Sequence, residues 1–318
     1  MIDSRFDPKN RKTASFAVVL VLTSLVFVVL RLNEMPVGAL VDDAFYVEMA
    51  RSLAEGRGPV VFLHPLDGPR NADIFPAGFP LLLAPLAKAW PSSLAVLKLV
   101  PFLAWLVIGR LAWSVPHAAA SVRHRLVLVF LTLANPWTVG HAVRIVSDLP
   151  FTALALGGLL AFRNHLEDKG RRPQLETAAL LMAASAMVRP IGWAGLLAMV
   201  LLLALRRSWS GLGRFLLATA APLLAFELWF GPRGAGLFPP SALAQETGGG
   251  LAERLHLVGN NLIGYLAQLP TILFPVFGEP TAKLAAGAGL GAVAAPAGIL
   301  AGLVLAVVVV RGRQAAFP

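Results

Sequence analysis

The sequence predicts an all-α protein, a polytopic bundle of about eight transmembrane helices with helical segments in its outer-side loops. Three observations carry this prediction. The 318 residues are 57% hydrophobic and only 14% charged. A soluble domain has about 25% charged residues, so this chain has too few charges to cover a water-facing surface. Its mean hydropathy is +0.72. Its apolar residues also gather into long runs, at 14–32, 92–113, 125–142, 149–163, 175–189, 191–205, 213–231 and 285–310. Residues 1–318 then form one integral-membrane domain: a first span, an outer loop 33–91, six spans over 92–231, a second outer segment 232–284 and a last span.

A net charge of +10 and a pI near 11.0 do not indicate a nucleic-acid partner. The basic residues stand in short clusters between apolar runs, which is the pattern of cytoplasmic loops. The absence of cysteine removes disulfides and thiolate metal sites.

The elements follow in order. Arg5, Lys9, Arg11 and Lys12 precede the apolar run 14–30, and Val37-Gly38-Ala39 loosely resembles a signal-peptidase site. A signal h-region has only about 7–15 residues, so the run reads as a retained first span. Another run, 79–90, falls short of the ~20 residues needed to cross. If it does not cross, the clusters Arg123/Arg125, Arg163/Lys169/Arg171/Arg172, Arg206/Arg207/Arg214 and Arg311/Arg313 all share the side of the N-terminal cations. That parity makes 79–90 a half-inserted helix on the outer side and puts both termini in the cytoplasm. Arg189-Pro190 joins two short spans and places Arg189 at the outer boundary. In the second outer segment, 232–250 is Gly- and Pro-rich, and 251–269 reads as a surface helix.

The outer loop 33–91 holds the densest chemistry. Phe45, Met49 and Leu53 form a helical stripe that Gly56 and Gly58-Pro59 bring to an end. Asp42 and Asp43 stand at the start, where a carboxylate caps the free N–H groups and opposes the helix dipole. A cap needs one aspartate. The second is available as an acceptor or base. His64, Asp67 and Asp73 could form an oxygen/nitrogen metal site, but no metal-ligand spacing supports one, and His64 alone reads as a surface histidine.

Asp42-Asp43-Ala44-Phe45-Tyr46, Ala50-Arg51-Ser52-Leu53-Ala54-Glu55-Gly56-Arg57-Gly58 and Phe75-Pro76-Ala77-Gly78-Phe79-Pro80 occur in that order. They are followed by Ser147-Asp148-Leu149-Pro150-Phe151 and Val188-Arg189-Pro190-Ile191-Gly192. This arrangement resembles the C-type integral-membrane glycosyltransferases, in particular the bacterial relatives of protein O-mannosyltransferases and of the lipid A aminoarabinose transferase (glycosyltransferase family 39 and its neighbours). The resemblance covers residues 10–230; family members usually continue for more spans, often with a C-terminal soluble domain.

The resemblance implies an enzyme of the bacterial cytoplasmic membrane with its active site facing outward. The donor would be a sugar on a polyprenyl-phosphate carrier, and the acceptor an envelope lipid, polysaccharide or protein. Asp42 would be the general base, and Asp43 its neighbour, binding the acceptor or tuning the pKa. Arg51, Arg144 and Arg189 would meet the donor phosphate, with Tyr46, His64, Asp73 and Asp148 as further loop candidates. Some relatives use a divalent cation and others do not, so no cofactor is assigned. Against these roles stand plainer ones. Arg144 lies close enough in sequence to Asp148 to form a structural ion pair, and Arg189 could snorkel to headgroups. Trp90, Trp137, Trp193 and Trp229 fall near span ends, as membrane-interface residues do. Two other classes compete: a non-catalytic membrane protein of this fold, and a transporter or lipid flippase. The second is disfavoured because the spans hold few carboxylates apart from Glu227.

Overall fold

The computed structural model describes residues 41–62, 75–115, 121–167 and 172–237, the pair 70–71, and single positions between 18 and 37. The expected surface helix 251–269 and last span 285–310 lie outside the described residues. His64, Asp67 and Asp73 also lie outside them.

Among the described residues the chain is all-α apart from one two-residue strand pair. The described positions between 18 and 31 are helical. Helix α1 covers Val41–Ala54, and both aspartates sit in its first turn, where they face the positive end of the helix dipole. It ends before Gly56, whose φ of 76° is a left-handed value that glycine adopts without strain. Strands β1 (Val60–Val61) and β2 (Arg70–Asn71) pair antiparallel, Val60 opposite Asn71. Helix α2 covers Gly78–Ala89, close to the expected 79–90. Its first residue must be glycine for steric reasons, since a β-carbon there would collide with the Met187 carbonyl.

Helices α3 (Leu94–Leu97) and α4 (Leu99–Ser114) follow almost without a break. The expected span 125–142 is divided into α5 (Val122–Leu133) and α6 (Pro136–Ala142). Asn135 ends the first and caps the second by accepting from the Trp137 N–H at 2.9 Å, with Pro136 at the first helical position. The apolar run hid this break, because a cap and a proline do not interrupt hydrophobicity. Helices α7 (Asp148–Glu167), α8 (Arg172–Val188), α9 (Gly192–Leu205) and α10 (Trp209–Phe230) complete the described bundle, and a 3-10 turn over Gly231–Arg233 follows α10.

Two helical stretches among the described residues are long and apolar enough to cross a membrane: Leu94–Ser114, with 21 residues, and Trp209–Arg233, with 25. The exposed faces are rich in large apolar side chains. Leu201, Leu217 and Leu228 are 53%, 74% and 77% exposed, which fits a lipid-facing surface. Among the described residues, three buried clusters organise the fold. One joins α7, α8, α9 and α10 around Met182, Leu203 and Phe215. A second joins Val28 with α4, α5 and α6 around Trp105. In the third, Tyr46, Val47 and Ala50 of α1 meet Phe79 and Leu83 of α2, Ile145, and Val188 at the end of α8. This last cluster fixes the positions of the chemistry-bearing residues.

Candidate functional site

The site is built where three chain segments end on the third cluster. Helix α1 begins with Asp42 and Asp43, the segment 143–147 runs into α7 at Asp148, and α8 ends just before Arg189. Tyr46 locks the first two together. Its ring packs edge-on against Phe79 at 4.9 Å between centroids and lies 5.0 Å from Phe75. Its hydroxyl meets Ser147 Oγ at 3.1 Å. Tyr46 and Ser147 are almost completely buried, and burial pushes the phenol up to about 12. It stays neutral and acts as a rigid hydrogen-bonding post one turn from Asp42.

Arg189 Nη1 donates to Asp148 Oδ1, so the residue at the helical hairpin pairs with the first residue of α7. Arg144 is the nearer arginine to Asp148 in sequence, and Arg189 reaches Asp148 from 41 residues away. The pair is open to solvent: its side chains are 39% and 41% exposed. A pair this exposed contributes at most about 1 kcal/mol to stability. A competing anion can therefore draw the guanidinium away at small cost.

The adjacent aspartates have different environments. Asp42 is exposed and Asp43 is 3% exposed. The Asp42 carboxyl is held above the ordinary carboxylate range, chiefly because it loses solvation against the protein. Arg189 opposes the shift, while Asp148 and Asp43 add to it. Asp42, Asp148 and Arg189 thus share one electrostatic neighbourhood. Asp43 also acts electrostatically on Lys98, which is itself only 4% exposed. The sequence reading passed over Lys98. Its signal was a cation inside the apolar run 92–113, a costly placement unless a partner awaits it.

The other expected residues divide. Arg51 stands nine residues beyond Asp42, about 13 Å along the helix at 1.5 Å per residue. It donates to Glu48 at 3.2 Å and to the Pro91 carbonyl at 3.3 Å, which ties α1 to the turn after α2. Arg144 is half-buried in the segment that also carries Ser147, and its backbone N–H donates to the His141 carbonyl at 3.4 Å. Neither arginine is among the charges that act on Asp42. Among the described residues, no group of three or more His, Asp or Glu side chains is arranged to hold a metal ion.

An apolar cavity lies apart from this cluster. About 550 Å³ in volume, it runs between α9 and α10 from Phe215 and Leu216 to Trp193 and Glu227. A second, of about 330 Å³, lies between α4 and α7, lined by Val100, Val107 and Leu154. Comparison with known proteins found no matching family model, curated protein or solved structure.

Proposed function

We propose that this chain is a multi-pass glycosyltransferase of the bacterial cytoplasmic membrane, with about eight spans, α2 half-inserted on the outer side and the Asp42 cluster facing outward. It moves a sugar from a polyprenyl-phosphate carrier to an acceptor hydroxyl or phosphate of the cell envelope. The observation that carries this reading is the grouping of Asp42, Asp148 and Arg189 from three separate segments, with the Asp42 carboxyl raised toward the range useful to a base. The order of motifs in the sequence supports it independently.

For a hydroxyl acceptor, Asp42 takes the acceptor proton as the acceptor oxygen forms its bond to the anomeric carbon. The bond from that carbon to the carrier phosphate breaks on the opposite face, the phosphate keeps the electron pair, and the configuration inverts. Arg189, drawn from Asp148, meets the charge developing on the departing phosphate. Asp43, buried and within electrostatic reach of Lys98, is assigned to holding the start of α1.

A photoactivatable polyprenyl-phosphate analogue should label the chain at Arg189 and Asp148, and excess unlabelled carrier should suppress that labelling. The competing reading is a non-catalytic membrane protein, favoured by the fact that Arg189 already has Asp148 as a partner. Labelling scattered over the lipid-facing helices, with none at Arg189, would support it.

A further inference from the structure

Glu227 serves no purpose in the mechanism above, yet its surroundings are elaborately built. It lies in the last turn of α10. Oε2 accepts the Leu237 backbone N–H at 2.7 Å. The chain after α10 folds back over this carboxylate so closely that a β-carbon at Gly231 or Gly236 would run into its oxygens. The same side chain forms one end of the 550 Å³ apolar cavity between α9 and α10. The two helices are antiparallel neighbours, so Trp193 and Glu227 share one end of that cavity, and Val200 and Phe215 the other.

At 1.5 Å per residue, the stretch of α10 from Leu216 to Glu227 is about 16 Å long. The cavity is thus a narrow slot running along the helices, within the volume range of small-molecule sites. Its walls offer dispersion and apolar burial to a hydrocarbon chain, and its one charge, at one end, is negative. That polarity disfavours a headgroup whose only charge is negative and suits one that carries an ammonium. Resting on the membrane reading of the chain, we propose that this slot binds a phospholipid with an ammonium headgroup, phosphatidylethanolamine. One acyl chain lies along Leu196, Leu223 and Phe215, and the ammonium donates to the Glu227 carboxylate. This site is separate from the Asp42 cluster and opposite in charge preference to a phosphate-carrier site.

The test uses the full chain in mixed nanodiscs of phosphatidylethanolamine and phosphatidylglycerol, read by native mass spectrometry of the lipids retained. Glu227→Gln keeps the shape of the side chain and an oxygen for the Leu237 N–H while removing the charge. Ala220→Phe blocks the slot. The wild type should retain phosphatidylethanolamine with roughly tenfold preference, the worth of one charge-assisted hydrogen bond. Glu227→Gln should lose the preference but keep a lipid, and Ala220→Phe should lose the retained lipid altogether. An unchanged preference in Glu227→Gln, or unchanged retention in Ala220→Phe, overturns the proposal. A chain that never partitions into nanodiscs would refute the membrane reading itself, a distinguishable failure.

Discussion

The division of labour between the adjacent aspartates can be tested with two isosteric substitutions, Asp42→Asn and Asp43→Asn. Asp42 is exposed, and surface substitutions of this kind shift stability by about 0.5 kcal/mol or less. The sign can be worked out from its titration. Its carboxyl is raised above the ordinary value in the fold, so the folded chain holds that proton more tightly than the unfolded chain. The associated stability is fully present below the unfolded pKa and is lost as pH rises through the raised one. At neutral pH, Asp42→Asn should therefore be as stable as the wild type or slightly more so. Loss of a general base costs about 10²–10⁴-fold in rate.

Asp43→Asn should behave in the opposite way. It removes a carboxylate that is 3% exposed and within electrostatic reach of Lys98, itself 4% exposed. Stranding a buried charge costs about 3 kcal/mol or more. The assay pairs thermal unfolding of the detergent-solubilised chain with transfer of radiolabelled sugar from polyprenyl phosphate into envelope acceptors. Full transfer by Asp42→Asn, or a large loss of its thermal stability, would refute the assignment of the base. So would an Asp43→Asn protein as stable as the wild type, since the two residues would then not differ as described.

Other predictions follow from the same geometry. Because Arg189 lowers the Asp42 carboxyl's proton affinity and Asp148 raises it, Arg189→Gln should move the acid limb of the kcat/KM profile to higher pH. Asp148→Asn should move it to lower pH; shifts in the same direction would break the proposed coupling. Tyr46→Phe deprives the buried Ser147 hydroxyl of its partner and should cost about 1–2 kcal/mol in thermal unfolding. Gly78→Val drives a side chain into the Met187 carbonyl and should cost about 1–3 kcal/mol through overpacking, read as a lower unfolding temperature. Since the chain has no cysteine, single cysteines placed at Glu55 or Arg57 should react with an impermeant maleimide added outside intact cells. Labelling only after the cells are opened would reverse the proposed orientation.

Apolar runs and local periodicity showed where most of the described helices lie, including α2, but not the break between α5 and α6. The stripe Phe45, Met49 and Leu53 showed that α1 is helical and indicated one of its buried faces. It did not show that Tyr46, Val47 and Ala50 are buried on a second face, because that depends on α2 and the segment around Ile145 arriving there. Composition made the adjacent aspartates conspicuous, but sequence treats neighbours alike. Only packing separates them: it buries Asp43, within electrostatic reach of Lys98, and leaves Asp42 exposed, within reach of Arg189. In the same way, Asp148 and Arg189 were each legible as boundary residues. Their pairing across 41 residues required the end of α8 to come back beside the start of α7. Sequence determines what each segment buries along its own axis. Which charges become neighbours is decided only when the segments pack, because electrostatic reach follows distance in space and not along the chain.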